Sequence, residues 1–181
     1  MKRFCFSLCL ILAVCLMVGC KPEQAASLQM DSAPSEGVLE MLAAFPSGYR
    51  EICKQTDLVI QMPHGDLANG TLWTDFCKNV EAGEAAEVVI AQFTTEGDPI
   101  LYYVSFDGSA FFFVSDSSRD KFGAEPYCYS HTFPYFQSFP DGQLELFVLS
   151  DEPLIDLAAY KDYCRSQPET RPVPLLQVSG Q

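Results

Sequence analysis

The stretch Glu87-Val88-Val89-Ile90-Ala91-Gln92-Phe93-Thr94-Thr95-Glu96-Gly97-Asp98-Pro99-Ile100-Leu101-Tyr102-Tyr103-Val104-Ser105-Phe106 decides how this 181-residue chain folds. Two runs rich in β-branched and aromatic side chains flank a polar turn, and such runs suit a pleated sheet. Gly97 tolerates positive φ, while Pro99 fixes its own φ and has no N–H to donate. The segment predicts a hairpin whose turn presents two carboxylates, Glu96 and Asp98. Asp107-Gly108 follows at once and predicts a second, two-residue hairpin, with Val104 opposite Phe111 and Tyr102 opposite Phe113. One face of the meander then holds Ile100, Tyr102, Val104, Phe111 and Phe113. The other holds Leu101, Tyr103, Ala110, Phe112 and Val114. Both faces are apolar, so both need cover.

Moving outward, Val38, Leu39, Met41, Leu42 and Phe45 repeat at helical spacing, and Pro46 and Gly48 end that helix. Residues 49–54 add a further helical turn, and 57–62 read as a short strand. Leu72, Trp73, Phe76, Cys77 and Val80 predict a helix over 71–82, capped by Thr71 or Asn69 and closed by Gly83. Downstream lie a polar loop over 115–120, a strand over 127–133, a turn at Pro140-Asp141-Gly142, a strand over 143–149 and a closing helix over 154–164. Residues 166–181 are Pro-rich and read as an extended tail. The expected fold class is α+β, an antiparallel meander sheet of four or five strands packed by one to three helices. It forms a single domain over 36–165.

The N-terminus carries Lys2-Arg3 and then an apolar run from Phe4 to Gly19, a basic and an apolar region in the order of a secretory leader. That run is too short for a comfortable membrane span, which needs about 20 residues. Leu16-Met17-Val18-Gly19-Cys20 resembles the lipobox of bacterial lipoproteins. The resemblance implies a signal peptide over 1–19, a diacylglyceryl group on the Cys20 thiol and a polar tether over 20–35. It also implies a location on the extracytoplasmic face of the cell membrane, with membrane lipid as the partner held through Cys20. An ordinary signal peptide with an incidental cysteine is the alternative.

Acidic residues number 24 against 11 basic ones, and the formal charge is −13. Such a surface repels nucleic acid and anionic head groups, so no nucleic-acid partner is expected. There are eight cysteines. Cys5, Cys9 and Cys15 sit in the leader, and Cys53, Cys77, Cys128 and Cys164 follow Cys20. Four cysteines allow three pairings. Cys53–Cys77 with Cys128–Cys164 is preferred because each closes a modest loop; four free thiols are the alternative. No Cys-x-x-Cys is present, and no metal or cofactor is expected.

Asp57-Leu58-Val59, His64-Gly65, Asn69, Phe76, Gly83, Thr95-Glu96-Gly97-Asp98-Pro99-Ile100, Asp107-Gly108 and Asp116-x-x-Arg119-Asp120-x-Phe122-Gly123 together resemble a family. It is the uncharacterised domain of unknown function 4362, found in small secreted and lipid-anchored proteins chiefly of Gram-positive bacteria. The resemblance spans about 57–149. It implies a lipoprotein location and supplies no established activity or cofactor.

Glu96 and Asp98 sit in one turn, and Asp116, Arg119 and Asp120 in a loop at the same end of the meander. Converging, they form a candidate site for a cation or polar ligand, since hard cations take several carboxylate oxygens. A small envelope hydrolase using Glu96, Asp98 or Asp120 is a second possibility. The plainer alternative is an Asx-turn at Asp98 and an Arg119–carboxylate pair that holds the loops. His64 and His131 are the only histidines, and each more often packs against a turn than acts in catalysis. Cys77 lies on an apolar helix face and reads as a disulfide or core residue. No Gly-x-Ser-x-Gly, His-Glu-x-x-His or phosphate loop is present. In the aromatic run from Tyr127 to Phe139, Tyr135, Phe136 and Phe139 break strand alternation and mark a candidate exposed patch for a glycan or an envelope protein. The expected role is a non-catalytic binding module.

Overall fold

Ser35 opens the first helix of the computed structural model, its hydroxyl accepting from the Val38 N–H at 3.4 Å. The structure describes residues 34–62, 65–123, 128–154, 156–166 and 172–179. The leader, Cys20, most of the tether, His64 and Tyr127 lie outside them. Helix α1 (Glu36–Ala44) ends at Phe45, whose extended backbone leads into Pro46, and a single turn, α2 (Tyr49–Ile52), follows. Strand β1 (Val59–Gln61) pairs with the short β2 (Leu67–Ala68). Asn69 then takes the left-handed conformation at φ 57° and starts α3 (Gly70–Glu81). Its side chain does not cap α3; it donates to the carbonyls of Gln55 and Leu58 at 2.9 and 2.8 Å, which pins the helix start to the β1 entry.

Helix α3 is a crossover, because β1 is parallel to β3 (Ala86–Phe93), with Val59 opposite Ile90. Parallel neighbours need such a connection, and a two-residue turn cannot supply it. The sheet continues antiparallel through β4 (Pro99–Phe106), β5 (Phe111–Asp116) and β6 (Cys128–Phe133). Pro134 then turns the chain into a second antiparallel sheet made of β7 (Tyr135–Asp141), β8 (Leu144–Ser150) and β9 (Val173–Ser179). Helix α4 (Leu157–Ser166) lies between β8 and β9 in sequence. The sheet orders are β2-β1-β3-β4-β5-β6 and β7-β8-β9.

The α+β class holds, but the sheet is larger, mixed and doubled rather than a four- or five-strand meander, and four helices pack on it. The two apolar faces of the meander find separate cover. Val88, Ile90, Val104, Phe106, Phe111 and Phe113 pack against Trp73 and Phe76 of α3 and against Leu149, Leu175 and Leu176 of the second sheet. On the opposite face, Val89, Ala91, Leu101, Tyr103 and Val114 pack on Leu42 and Ile52 of α1 and α2. The outer face of the second sheet takes α4 through Leu146, Val148, Phe139 and Tyr160.

Three further expectations change. The hairpin after β4 has Phe106 opposite Phe111 and Val104 opposite Phe113, two residues from the expected register. Asp107 causes the difference. Its Oδ1 accepts from the Ser109 and Ala110 N–H groups and the Ser109 hydroxyl at 2.8–2.9 Å, so an Asx-type loop replaces the tight turn. A two-residue shift keeps every side chain on its expected face. Residues 173–179, expected as tail, form the core strand β9, with Leu175 and Leu176 fully buried. The four cysteines are free thiols, so neither Cys53–Cys77 nor Cys128–Cys164 is bonded. Cys53 follows Ile52 on one face of the large sheet, whereas Cys77 packs beside Phe76 on the other. Cys128 opens β6 at the sheet edge, while Cys164 rides on α4 behind the second sheet.

Candidate functional site

The hairpin turn from Thr94 to Asp98 is built as the sequence implies. Thr94 N donates to the Asp98 carbonyl at 2.9 Å, and Gly97 takes φ 88°. Asp98 is then spent inside the molecule. Its carboxylate accepts from the Lys121 backbone N–H and from Lys121 Nζ, both at 3.0 Å. Those two bonds, the backbone one foremost, hold its carboxyl below the usual range. Asp120 Oδ1 accepts from the N–H groups of Phe122 and Gly123, at 3.0 and 2.9 Å, closing its own loop.

Arg119 is buried and ties three elements together. Its Nη1 donates to Asp116 Oδ2 at 2.6 Å. Its Nη2 donates to the carbonyls of Leu42 and Phe45, and its Nε to that of Pro46. Helix α1 has no basic residue in its last turn, so Arg119 supplies the cation that its C-terminal carbonyls favour. Burial pushes the Asp116 carboxyl up, but the bonds from Ser118 and Arg119 outweigh that and hold it low. Asp98 and Lys121 thus tie the hairpin turn to the loop after β5, the Asp116–Arg119 pair ties that loop to α1, and Asp120 closes the loop on itself. Glu96 alone stays exposed, bonded to the neighbouring Thr95 hydroxyl at 2.9 Å. Among the described residues, no group of three or more His, Cys, Asp or Glu side chains is placed to hold a metal ion.

The aromatic patch is not assembled. Phe136 packs edge-on to Trp73 at 5.9 Å and stacks on Phe147 at 5.8 Å, and Phe139 is buried under α4. Tyr135 stays exposed. Pro140 sits in edge strand β7, where its missing N–H costs no ladder bond, and the two prolines hid this strand from a periodicity reading. His131 pairs with Asp151 at 2.9 Å, joining β6 to the segment after β8.

What the sequence did not reveal is a cleft of about 950 Å³ between the ends of the two sheets. Glu96 and its turn form one rim, with Phe93 and Met62 beside it. Asp141, Tyr160, Leu146 and Pro174 come from the second sheet and α4, and Tyr49 comes from α2. The floor is a chain of carboxamides. Gln92 Nε2 donates to Gln61 Oε1 at 3.0 Å and to the Leu175 carbonyl at 2.6 Å. Gln61 Nε2 donates to the Gln177 carbonyl at 3.3 Å, and Gln177 Nε2 approaches Asp141 Oδ2 at 3.5 Å. The Tyr49 ring meets Phe93 edge-on at 4.6 Å. A hydrogen bond to Cys53 raises the Tyr49 hydroxyl above its usual range. Burial, with Cys164 beside it, pushes Tyr160 up to about 12. A cleft that sets apolar side chains beside a few fixed polar groups is the form that small-molecule sites take. The alternation of Gln92 with Ala91 and Phe93 was visible in the sequence; that β9 would lie opposite was not.

No curated protein and no solved structure matches the chain. No helix among the described residues is long and apolar enough to cross a membrane. The family comparison falls on the large sheet: residues 55–131, from the approach to β1 through α3 to the middle of β6, match the model of the domain of unknown function (DUF4362).

Proposed function

We propose that this chain is a lipid-anchored, extracytoplasmic binding module, held through Cys20, whose ligand occupies the cleft between the two sheets. The observation that carries the reading is the cleft itself: both sheets, α2 and α4 contribute walls, and its floor is fixed by side-chain hydrogen bonds. Preset polar groups of this kind lower the ordering cost of binding. The geometry gives a hydrolase using Glu96, Asp98 or Asp120 little to work with. Asp98 and Asp120 are committed to Lys121, Phe122 and Gly123, which leaves Glu96 alone. The same commitments argue against a divalent cation at these turns. A glycan or an envelope protein segment at the cell surface are the partner types to test.

The experiment has two arms. Cys20→Ser should release the protein from the membrane fraction; retention of the variant would overturn the anchor. Thermal unfolding of the intact protein in non-ionic detergent, against a panel of small envelope-derived compounds, tests the cleft. A ligand at 100 times its Kd adds about 2.7 kcal/mol. Stabilisation that disappears in Tyr49→Ala supports the site, since Tyr49 is exposed and its loss spares the core. Stabilisation unchanged by that variant, or none with any compound, removes the cleft as the site.

A further inference from the structure

We infer that the cleft takes a small organic cation, an ammonium group on an apolar carbon body; this rests on the cleft being the binding site. No Lys, Arg or His lines the cleft among the described residues, while Glu96 and Asp141 bring a carboxylate from each sheet. Lys161 pairs with Asp141, 3.6 Å from its Oδ1, and does not line the cleft. Most amide hydrogens of the floor serve the protein: Gln92 Nε2 spends both on Gln61 Oε1 and the Leu175 carbonyl, Gln61 Nε2 spends one on the Gln177 carbonyl, and Gln177 Nε2 reaches Asp141 Oδ2 at 3.5 Å. Gln92 and Gln177 keep their Oε1 atoms as acceptors that no donor among the described residues reaches.

The Thr95 hydroxyl donates to Glu96, and the Thr94 hydroxyl oxygen accepts from the Asp98 N–H. The walls offer a ligand acceptor oxygens, two carboxylates with no cation in the lining, and aromatic side chains. A neutral glycan brings no charge to answer the two carboxylates. An anion finds no positive partner. An ammonium group only donates, gains from charge-assisted bonds to the carboxylates, and is attracted by the faces of Tyr49, Phe93 and Tyr160. The chain's charge of −13 adds long-range attraction for the same sign of ligand.

Calorimetric titration of the intact protein in non-ionic detergent tests this, with choline and putrescine as cationic probes, N-acetylglucosamine as the neutral probe and acetate as the anionic one. Saturable binding of a cationic probe is expected, with Glu96→Gln and Asp141→Asn each weakening it by about tenfold, the scale of one charged hydrogen bond. Binding should also weaken in Tyr49→Ala and with added salt. If N-acetylglucosamine or acetate binds in a Tyr49-dependent way and the cations do not, the cleft reading stands and the cation inference falls. Cation binding indifferent to both carboxylate variants likewise overturns the inference. If no probe binds in a way that Tyr49→Ala alters, the cation inference falls and the cleft reading loses its support.

Discussion

Arg119 is the residue on which the acidic end of the molecule depends, and its role is structural. Its side chain is 5% exposed and that of Asp116 11%, and the guanidinium also serves three carbonyls at the end of α1 and just beyond it. Removing one partner of a buried pair strands the other charge, which costs more than the pair itself contributes. Arg119→Ala should therefore lose about 3–5 kcal/mol in urea unfolding, at an unchanged m-value. Arg119→Lys keeps the charge but cannot reach four acceptors with one planar fork, so it should fall between the two. A loss below about 1 kcal/mol in Arg119→Ala, the range of exposed pairs, would sink this assignment. Cys77 allows a second prediction at this scale. Burial, followed by the charges of Glu81 and Glu145, pushes its thiol up to about 12. The thiolate is the reactive form, so iodoacetamide at pH 8 should label Cys77 more slowly than Cys128, which is exposed. The reverse order, read by peptide mass spectrometry, would contradict the burial.

Strand β9 shows how much of an element a sequence can hide. Its segment carries Pro172 and Pro174 and only short apolar runs, so nothing local distinguishes it from a tail. Leu175 and Leu176 are nevertheless fully buried against α3 and the large sheet. The ladder to β8 slips between Phe147 and Val148, which lets both adjacent leucines enter the core. By contrast β3, β4, β5 and α3 were legible, because periodicity and β-branched content are local properties. The Asp107 loop departs from the expected register by two residues for a local reason as well, since a side-chain bond outcompetes the tight turn. The cleft was illegible because Gln61, Gln92 and Gln177 lie on three strands, with β9 far away in sequence. Gly65 is the place where the elements lock. It has φ 86°, and an added Cβ would sit 2.6 Å from Leu144 Cδ2 and 2.9 Å from the Ser179 nitrogen. Gly65→Ala should cost at least the ~1–3 kcal/mol of left-handed strain and displace β9. Leu175→Ala should cost about 2–5 kcal/mol through a cavity in the shared core. Both should shift one cooperative transition, because that core spans the two sheets. Two separate transitions would show that the second sheet unfolds on its own.

At the scale of the whole molecule, acid sets two effects against each other. Lowering the pH protonates carboxylates and relieves the self-repulsion of a chain at −13, which favours the folded state. It also removes native-state bonds that hold particular carboxyls low, namely those of Asp98, Asp107 and Asp116. The sign of the second effect is fixed. A carboxyl depressed in the folded state contributes stability above its unfolded pKa of about 3.9, and that contribution is lost as pH falls through the folded value. Thermal unfolding of the wild type alone would mix the two effects. Asp116→Asn separates them, because it changes the total charge by only one while deleting the local titration. At pH 7 the variant should melt well below the wild type, since Arg119 loses its buried counter-charge. As pH falls from the unfolded value of about 3.9 through the lower folded one, the wild-type Asp116 protonates and comes to resemble the variant, so the gap in Tm should narrow. A gap that stays constant from pH 7 to below 3 would mean that Asp116 does not titrate against Arg119 in the folded protein. The acid sensitivity would then belong to the other carboxylates or to the charge of the surface as a whole.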